Sequence, residues 1–270
     1  MVISWIYVVG RLVGFDDHTR RVGDGEASFD GSRFRIALAR DAADVLEAQR
    51  LRWRVYRESL DADLPAGGVD ADAFDGFCDH LLVRDSDTDA VVGTYRILTP
   101  ERAREAGGYY SETEFDLGRI VSHGARVAEV GRACVHPAYR KGGVIALLLA
   151  GLTAHLVERR CEYVIGCASV SLTDGAGRAA SVCRRLTRDH LSPVEWHAFP
   201  RARFPFESIE PDDGAPLPAL IKAYLRLGAT VCGEPAWDEQ FKTADLLLIL
   251  AMARMAPRYR ARLLRQALPA

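Results

Sequence analysis

Apolar residues fall in short runs separated by polar turns, and each run suggests an element. FRIALA (34–39) predicts a short strand. Asp41 then stands where it can cap a helix reaching about Ser59, with Val45, Leu46, Ala48, Leu51, Arg52 and Tyr56 recurring near one side. The acidic, glycine-containing stretch 61–79 predicts a loop. HLLVRD (80–85) and AVVGTYRIL (90–98) read as two strands joined by the polar turn SDTD, a hairpin pattern. After an irregular segment, RVAEVGRACV (126–135) predicts a further strand, residues 142–160 a helix, and EYVIGCASV (162–170) a buried strand.

Residues 175–190 continue as a helix. Residues 191–216 hold five of the twelve prolines and predict an extended loop or flap. LPALIKAYLRLGA (217–229) has the spacing of an amphipathic helix, ADLLLILAMA (244–253) that of a strand, and PRYRARLLR (257–265) that of a basic helix. This order fits an α+β fold, a mostly antiparallel sheet with helices on its faces. The start, VISWIYVVGRLVGF, is apolar but interrupted by Arg11, too short to span a bilayer, and without a signal-peptide pattern. It reads as a strand or packing arm, or as a peripheral segment lying on a membrane. Residues 15–32 are polar and glycine-rich, so 1–32 form an arm and linker, and 33–270 a single domain with a C-terminal extension.

Composition narrows the function only modestly. Hydrophobic residues make up 49% and charged residues 27%, with a net charge of −2, so nothing global favours nucleic acid. The basic residues are nearly all arginine, because only Lys141, Lys222 and Lys242 are lysines. Ten arginines (184, 185, 188, 201, 203, 254, 258, 260, 262 and 265) crowd the second half and could face an acidic partner or an anionic membrane, or be scattered solvated charges. The six cysteines show neither a C-x-x-C pair nor zinc-ligand spacing, which fits a reducing cytosol and no metal site.

The chemistry concentrates in EVGRACVHPAYRKGGVIALLL (129–149). A strand ends near Val135, the chain turns at His136-Pro137, and Arg140-Lys141-Gly142-Gly143 open a helix. A helix N-terminus with glycines offers free backbone N–H groups and the positive end of the dipole, hence an anion cradle. A capped helix start is the plainer reading. C-x-H pairs at Cys134/His136 and Cys78/His80 invite a nucleophile–base reading, since alternate strand positions share a face.

R-x-x-G-x-G/A after a strand is the signature of the GNAT acyltransferases, and Arg140, Gly143 and Ile145 occupy its places, with Ile145 departing from it. LRWRVYRESL (51–60), DADAFD (70–75), CDHLLV, VVGTYRIL and E-V-G-R-x-x-V (129–135) resemble acyl-homoserine-lactone synthases in type and order. The second half, with GGYYSETEFDL (107–117), YVIGCAS (163–169), residues 221–250 and PRYR, resembles ornithine N-acyltransferases more closely. The resemblance covers about 35–262. It implies a GNAT fold, direct acyl transfer without an acyl-enzyme, and a thioester donor with no bound cofactor.

It also distributes roles. Glu129, the glutamate of E-x-x-R, is the candidate base that takes the proton of the attacking amine, with Arg132 beside it; the plainer role is a structural partner of Arg132 or Arg96. Backbone N–H groups near Cys134 and Val135 would hold the oxyanion. Arg140, Lys141, Gly142 and Gly143 would hold the donor phosphate. Arg52, Tyr56, Asp70, Asp72, Asp75 and Arg96 match further charged and aromatic positions of the synthase pattern, Asp70 standing where that family has glutamate. They would order the 60–79 loop around the donor, attract a cationic amino acid, or merely form a solvated loop. An acyl carrier protein offers a single phosphodiester, whereas acyl-CoA brings a pyrophosphate and a phosphoadenosine. Bulky Ile145 is therefore easier to accommodate with the carrier protein than with CoA; it can also pack inward as a helix core residue, and the two readings are compatible.

The expected activity is transfer of a long acyl chain, 3-hydroxylated or not, from acyl carrier protein to the α-amine of ornithine in the cytoplasm. Alternatives are another amino acid such as glycine, a homoserine-lactone-synthase-like reaction, and a non-catalytic acyl or carrier-protein binder.

Overall fold

The computed structural model describes residues 33–255 except 61–63, 65, 142 and 213, together with residue 261. The N-terminal arm, its linker and the basic tail helix therefore lie outside the described residues. In chain order the elements are β1 (Phe34–Leu38), α1 (Ala42–Leu60), β2 (Asp79–Asp85), β3 (Val91–Leu98), α2 (Pro100–Ala106), β4 (Phe115–Asp116), α3 (Gly118–Ser122) and β5 (Val127–Val135). They continue with α4 (Val144–Glu158), β6 (Tyr163–Ser171), α5 (Ala176–Asp189), β7 (Phe199–Pro200), α6 (Ala219–Leu227), β8 (Thr230–Val231), β9 (Ala236–Asp238) and β10 (Thr243–Ala251).

Eight strands form one sheet in the order β1-β2-β3-β5-β6-β10-β8, with β9 beside β10, while β4 and β7 make a separate ribbon. Every pairing is antiparallel except β5 with β6. Asp41 caps α1 as its position suggests, accepting from the N–H groups of Ala43 and Asp44 at 3.0 Å. The two faces sort by strand alternation. Leu81, Val83, Tyr95, Ile97 and Val135 pack with Val144 and Leu148 of α4, whereas Cys134 packs with Leu51, Val55 and Tyr56 of α1. The sheet is thus sandwiched between α1 and α4.

Two segments differ from expectation. The stretch after β3, expected to be irregular, contains α2, capped by Thr99 with Pro100 at its start and left-handed Gly107 at its end, and also α3. The proline-rich stretch 191–216 is the extended loop expected of it, but not a free flap. Leu191 bridges Val231, Arg203 bridges Ala236, and β7 pairs β4, so it is stitched onto the sheet end. Helices of one turn and two-residue strands carry too little periodicity to be read from hydrophobic pattern.

The parallel pair positions the site. β5 meets β6 only over Val127–Glu129 against Tyr163–Ile165, and beyond that the strands part. Gly166 follows the last pair, and a Cβ there would lie 2.4 Å from the carbonyl oxygen of Val130, so only glycine permits this approach. No helix among the described residues is long and apolar enough to cross a membrane.

Candidate active site

Glu129 and Arg132 are three residues apart and would point to opposite faces of a regular strand. A bulge prevents that. Thr94 pairs Cys134 and Arg96 pairs Gly131, so two residues of β5 oppose Tyr95 alone. Arg132 takes the left-handed conformation there, with φ 52°. Consequently Glu129, Arg132 and Cys134 share the α1 face, while Ala128, Val130, Ala133 and Val135 pack in the α4 core.

Where β5 and β6 part, a cavity of about 780 Å³ opens between them, lined by Glu129, Gly131, Arg132 and Ala133 on one side and residues 164–171 on the other. Its inner arm is apolar, walled by Leu152, Leu156, Val164, Leu227, Met252 and Met255. Two tyrosine hydroxyls, of Tyr95 and Tyr224, meet there at 2.5 Å.

Glu129 is 5% exposed and serves as an acceptor. The N–H of Tyr110 donates to Oε2 at 2.6 Å, the N–H of Ser111 to Oε1 at 2.8 Å, and the Ser111 hydroxyl also donates to Oε1. Burial raises its pKa above the usual carboxylate range, and these donors with Arg96 pull against that rise. Glu129 forms no ion pair with Arg132 or Arg96; its direct partners are the backbone and hydroxyl of the Tyr110–Ser111 turn.

At and behind the cavity wall three arginines interlock with three aspartates, Arg96 and Arg132 lining the cavity and Arg52 standing behind it. Arg52, fully buried, donates to Asp70 at 2.7 Å and to Asp75 at 2.9 Å. Arg96 contacts Asp72 at 2.7 Å and Asp75 at 3.4 Å, and Arg132 reaches Asp72 at 3.2 Å. The guanidinium carbons of Arg96 and Arg132 lie 5.3 and 5.0 Å from the Tyr110 ring centroid. The acidic run is therefore a buried ion-pair network, not a solvated loop. Of the six residues matched to the synthase pattern, Tyr56 and Arg96 line the cavity, while Arg52, Asp70, Asp72 and Asp75 stand behind it and order the loop.

On the donor side, Gly143 caps α4 in a left-handed conformation, φ 80°. Arg140 lines the cavity mouth and its Nε donates to the Val135 carbonyl at 3.4 Å; Lys141 is exposed, and Gly142 lies outside the described residues. Cys134 and Val135 bury their side chains in the core, 1% and 2% exposed, leaving only backbone for an oxyanion. Past Glu129 the β6-facing edge of β5 has no strand partner, so backbone groups there are open to a ligand. Ile145 is 4% exposed within the core under α4, so the inward-packing alternative holds. Its burial accounts for a bulky residue at this position without reference to the donor.

Neither C-x-H pair supports a thiolate. Burial pushes the Cys78 thiol up to about 12 and that of Cys134 further still. His80 Nε2–H donates to the Asp75 carbonyl at 3.0 Å. Of the ten arginines in the second half, 258, 260, 262 and 265 lie outside the described residues, and Arg184, Arg188, Arg201 and Arg203 are engaged within the chain. Arg184 donates to the carbonyls of Glu207 and Ile209, Arg201 to that of Glu112, and Arg203 to Glu234.

The sequence reading missed Tyr110, Ser111, Glu114, Cys167, Tyr224 and Asp245, all on the cavity wall. One signal was available: Asp245 is an acidic residue inside the otherwise apolar run ADLLLIL.

Comparison with known proteins places this geometry in context. Residues 51–150 match the acetyltransferase (GNAT) domain family. The chain is 36% identical over 241 residues to an L-ornithine N(alpha)-acyltransferase of Agrobacterium fabrum, covering 82% of each protein. It is 37% identical over 246 residues to a protein of the same name from Rhodobacter capsulatus, covering 84% of this chain and 93% of the relative. Among solved structures, FeeM, an N-acyl amino acid synthase from uncultured soil microbes, aligns with a TM-score of 0.52 at 13% identity, covering 85% of this chain and 93% of that one. BjaI, a CoA-dependent acyl-homoserine lactone synthase, aligns with a TM-score of 0.52 at 16% identity, covering 89% and 92%. These distant likenesses establish the fold.

Proposed function

The chain belongs to the L-ornithine N(alpha)-acyltransferase family, of GNAT fold, and on that premise we propose that it transfers a long acyl chain from a carrier-protein thioester to the α-amine of ornithine. The observation that carries this reading is the position of Glu129. A buried carboxylate stands where β5 and β6 part, in the wall of a cavity whose other arm is apolar.

The chemistry follows from that placement. The acyl chain enters the apolar arm, each buried methylene contributing about 0.8 kcal/mol. The thioester carbonyl lies along the open edge of β5, whose N–H groups stabilise the developing oxyanion. An attacking amine must be neutral, and Glu129 accepts the proton it gives up. The new C–N bond forms, the C–S bond breaks, and the thiolate leaves and takes a proton from solvent. A thiolate leaves readily, so no strong acid is required. Arg140 lines the mouth and, with exposed Lys141 next to it in the chain and Arg54 nearby, outnumbers Glu58 there, giving the positive balance that a phosphopantetheine phosphate, carried by an acidic protein, would meet.

Incubation with acyl carrier protein thioester and ornithine, followed by mass spectrometry, tests the reading. N-acylornithine with stoichiometric carrier thiol is expected. Faster turnover with acyl-CoA would overturn the donor, and faster turnover with glycine the acceptor. An intact thioester under all conditions would leave only an acyl-binding module.

A further inference from the structure

Acyl transfer as described uses Glu129 and the apolar arm, and leaves the most acidic wall of the cavity without a role. Glu114, just before β4, Cys167 on β6 and Asp245 on β10 each bring one ligand atom within 4.8 Å of the other two. All three line the cavity that contains Glu129. Oε2 of Glu114 is sealed from solvent and has no hydrogen-bond partner. Asp245 is 4% exposed and accepts from Ser169 Oγ at 3.1 Å and Thr243 Oγ1 at 2.6 Å. Neither carboxylate forms an ion pair with an arginine or lysine among the described residues; Arg132 acts on both only through space and is itself engaged by Asp72.

Buried carboxylates are normally paired, because an uncompensated charge in a dry site is costly. Burial raises both groups above the ordinary carboxylate range, with Asp238 adding to each and the Asp245 charge also raising Glu114. An incoming cation would relieve that conflict. Cys167 contributes no charge, since burial holds its thiol protonated. Ser111 links this corner to the proposed base: its hydroxyl donates to Glu129 and lies 3.5 Å from the Cys167 sulfur. The two nitrogens of ornithine are five bonds apart, roughly 6 Å when extended. An α-amine at Glu129 would thus carry its side-chain nitrogen past Ser111 toward Glu114.

The geometry points to Glu114 and Asp245 as the seat of the acceptor's side-chain ammonium, with the Ser169 oxygen as a third acceptor, so that this corner selects a diamino acid over a neutral one. The inference rests on the acyl-transfer reading above and adds to it the origin of acceptor selectivity.

Its test compares ornithine with norvaline, the same carbon chain without the terminal amine, by kcat/KM. Glu114→Gln and Asp245→Asn should each lower the ornithine-to-norvaline ratio at least tenfold, whereas Glu114→Asp, which keeps the charge, should preserve the preference. Thermal midpoints identify variants that fold, and Glu114→Asp against Glu114→Gln gives the comparison even if Asp245→Asn does not fold. An unchanged ratio in folded Glu114→Gln overturns the assignment while leaving the acyl-transfer reading intact. Wild-type protein that acylates no ornithine at all sinks both.

Discussion

Glu129 and Arg132 share one face of β5 because the Arg132 bulge reverses the strand's alternation between them, and both meet Tyr110. The carboxylate takes the Tyr110 N–H while the guanidinium lies over its ring. The proposed base is thereby fixed by backbone donors, and the cation beside it is held by aspartates and an aromatic face.

Removing the base should remove the proton acceptor without disturbing the fold around it. Glu129→Gln keeps the size and one oxygen that accepts from Ser111, while its NH2 group faces the Tyr110 N–H, so folding is checked by the thermal midpoint. Its kcat/KM is expected to fall by about 10²–10⁴-fold and to lose its acid limb. Full activity of this variant between pH 6 and 9 would exclude Glu129 as base.

Ser111→Ala deletes one hydrogen bond to the charged form of Glu129 and keeps the Ser111 N–H. Ionised Glu129 is then less favoured, so its pKa rises further. The acid limb of the pH–rate profile should move to higher pH, and activity at pH 7 should drop roughly tenfold. Recovery at pH 9 distinguishes this from general damage.

Asp75 tests the buried network. Arg52 lowers its pKa against the opposing effect of burial, and Arg96 adds to the lowering. A carboxylate with depressed pKa contributes stability above its unfolded pKa, near 3.9, and loses it as pH falls through the folded value. Asp75→Asn strands the fully buried Arg52 beside Asp70 alone, and should cost about 3–5 kcal/mol at pH 7 in denaturant melts. The difference from wild type should shrink below pH 4.

Ile145 discriminates two accounts of the helix start. As a core residue, Ile145→Ala should cost about 2–5 kcal/mol of stability and leave the ratio of carrier-protein to CoA turnover unchanged. A shift of donor preference toward CoA in a folded variant would return Ile145 to the phosphate cradle.

What could be read from the sequence follows the range of the interactions involved. β2, β3, β5, β6 and β10 and helices α1, α4, α5 and α6 carry enough periodicity to be placed, and motif order brought Glu129, Arg132, Tyr56 and Arg96 to attention. The acidic run 70–75 stayed ambiguous because its meaning depends on three arginines from three separate elements. Ile145 was informative in the motif but silent about direction, since hydrophobic bulk alone does not say which way a side chain points. Tyr110 and Ser111 act largely through backbone N–H groups, which no residue type announces. Glu114 and Asp245 meet only after the chain has returned through β10, more than a hundred residues later.

The contact between Gly166 and the Val130 carbonyl has a bearing on how such a chain can diversify. It acts as a hinge pin at the apex of the wedge between β5 and β6, and it is made of backbone. The aperture through which a thioester must pass is therefore independent of the side chains that line the apolar arm. On the proposed placement of the acyl chain, exchange of Leu152, Leu156 and Met255 would suit chains of other lengths while the gauge of the entrance stays the same. Gly166 itself has no such freedom, and even a methyl group there would force the wedge to open from its tip.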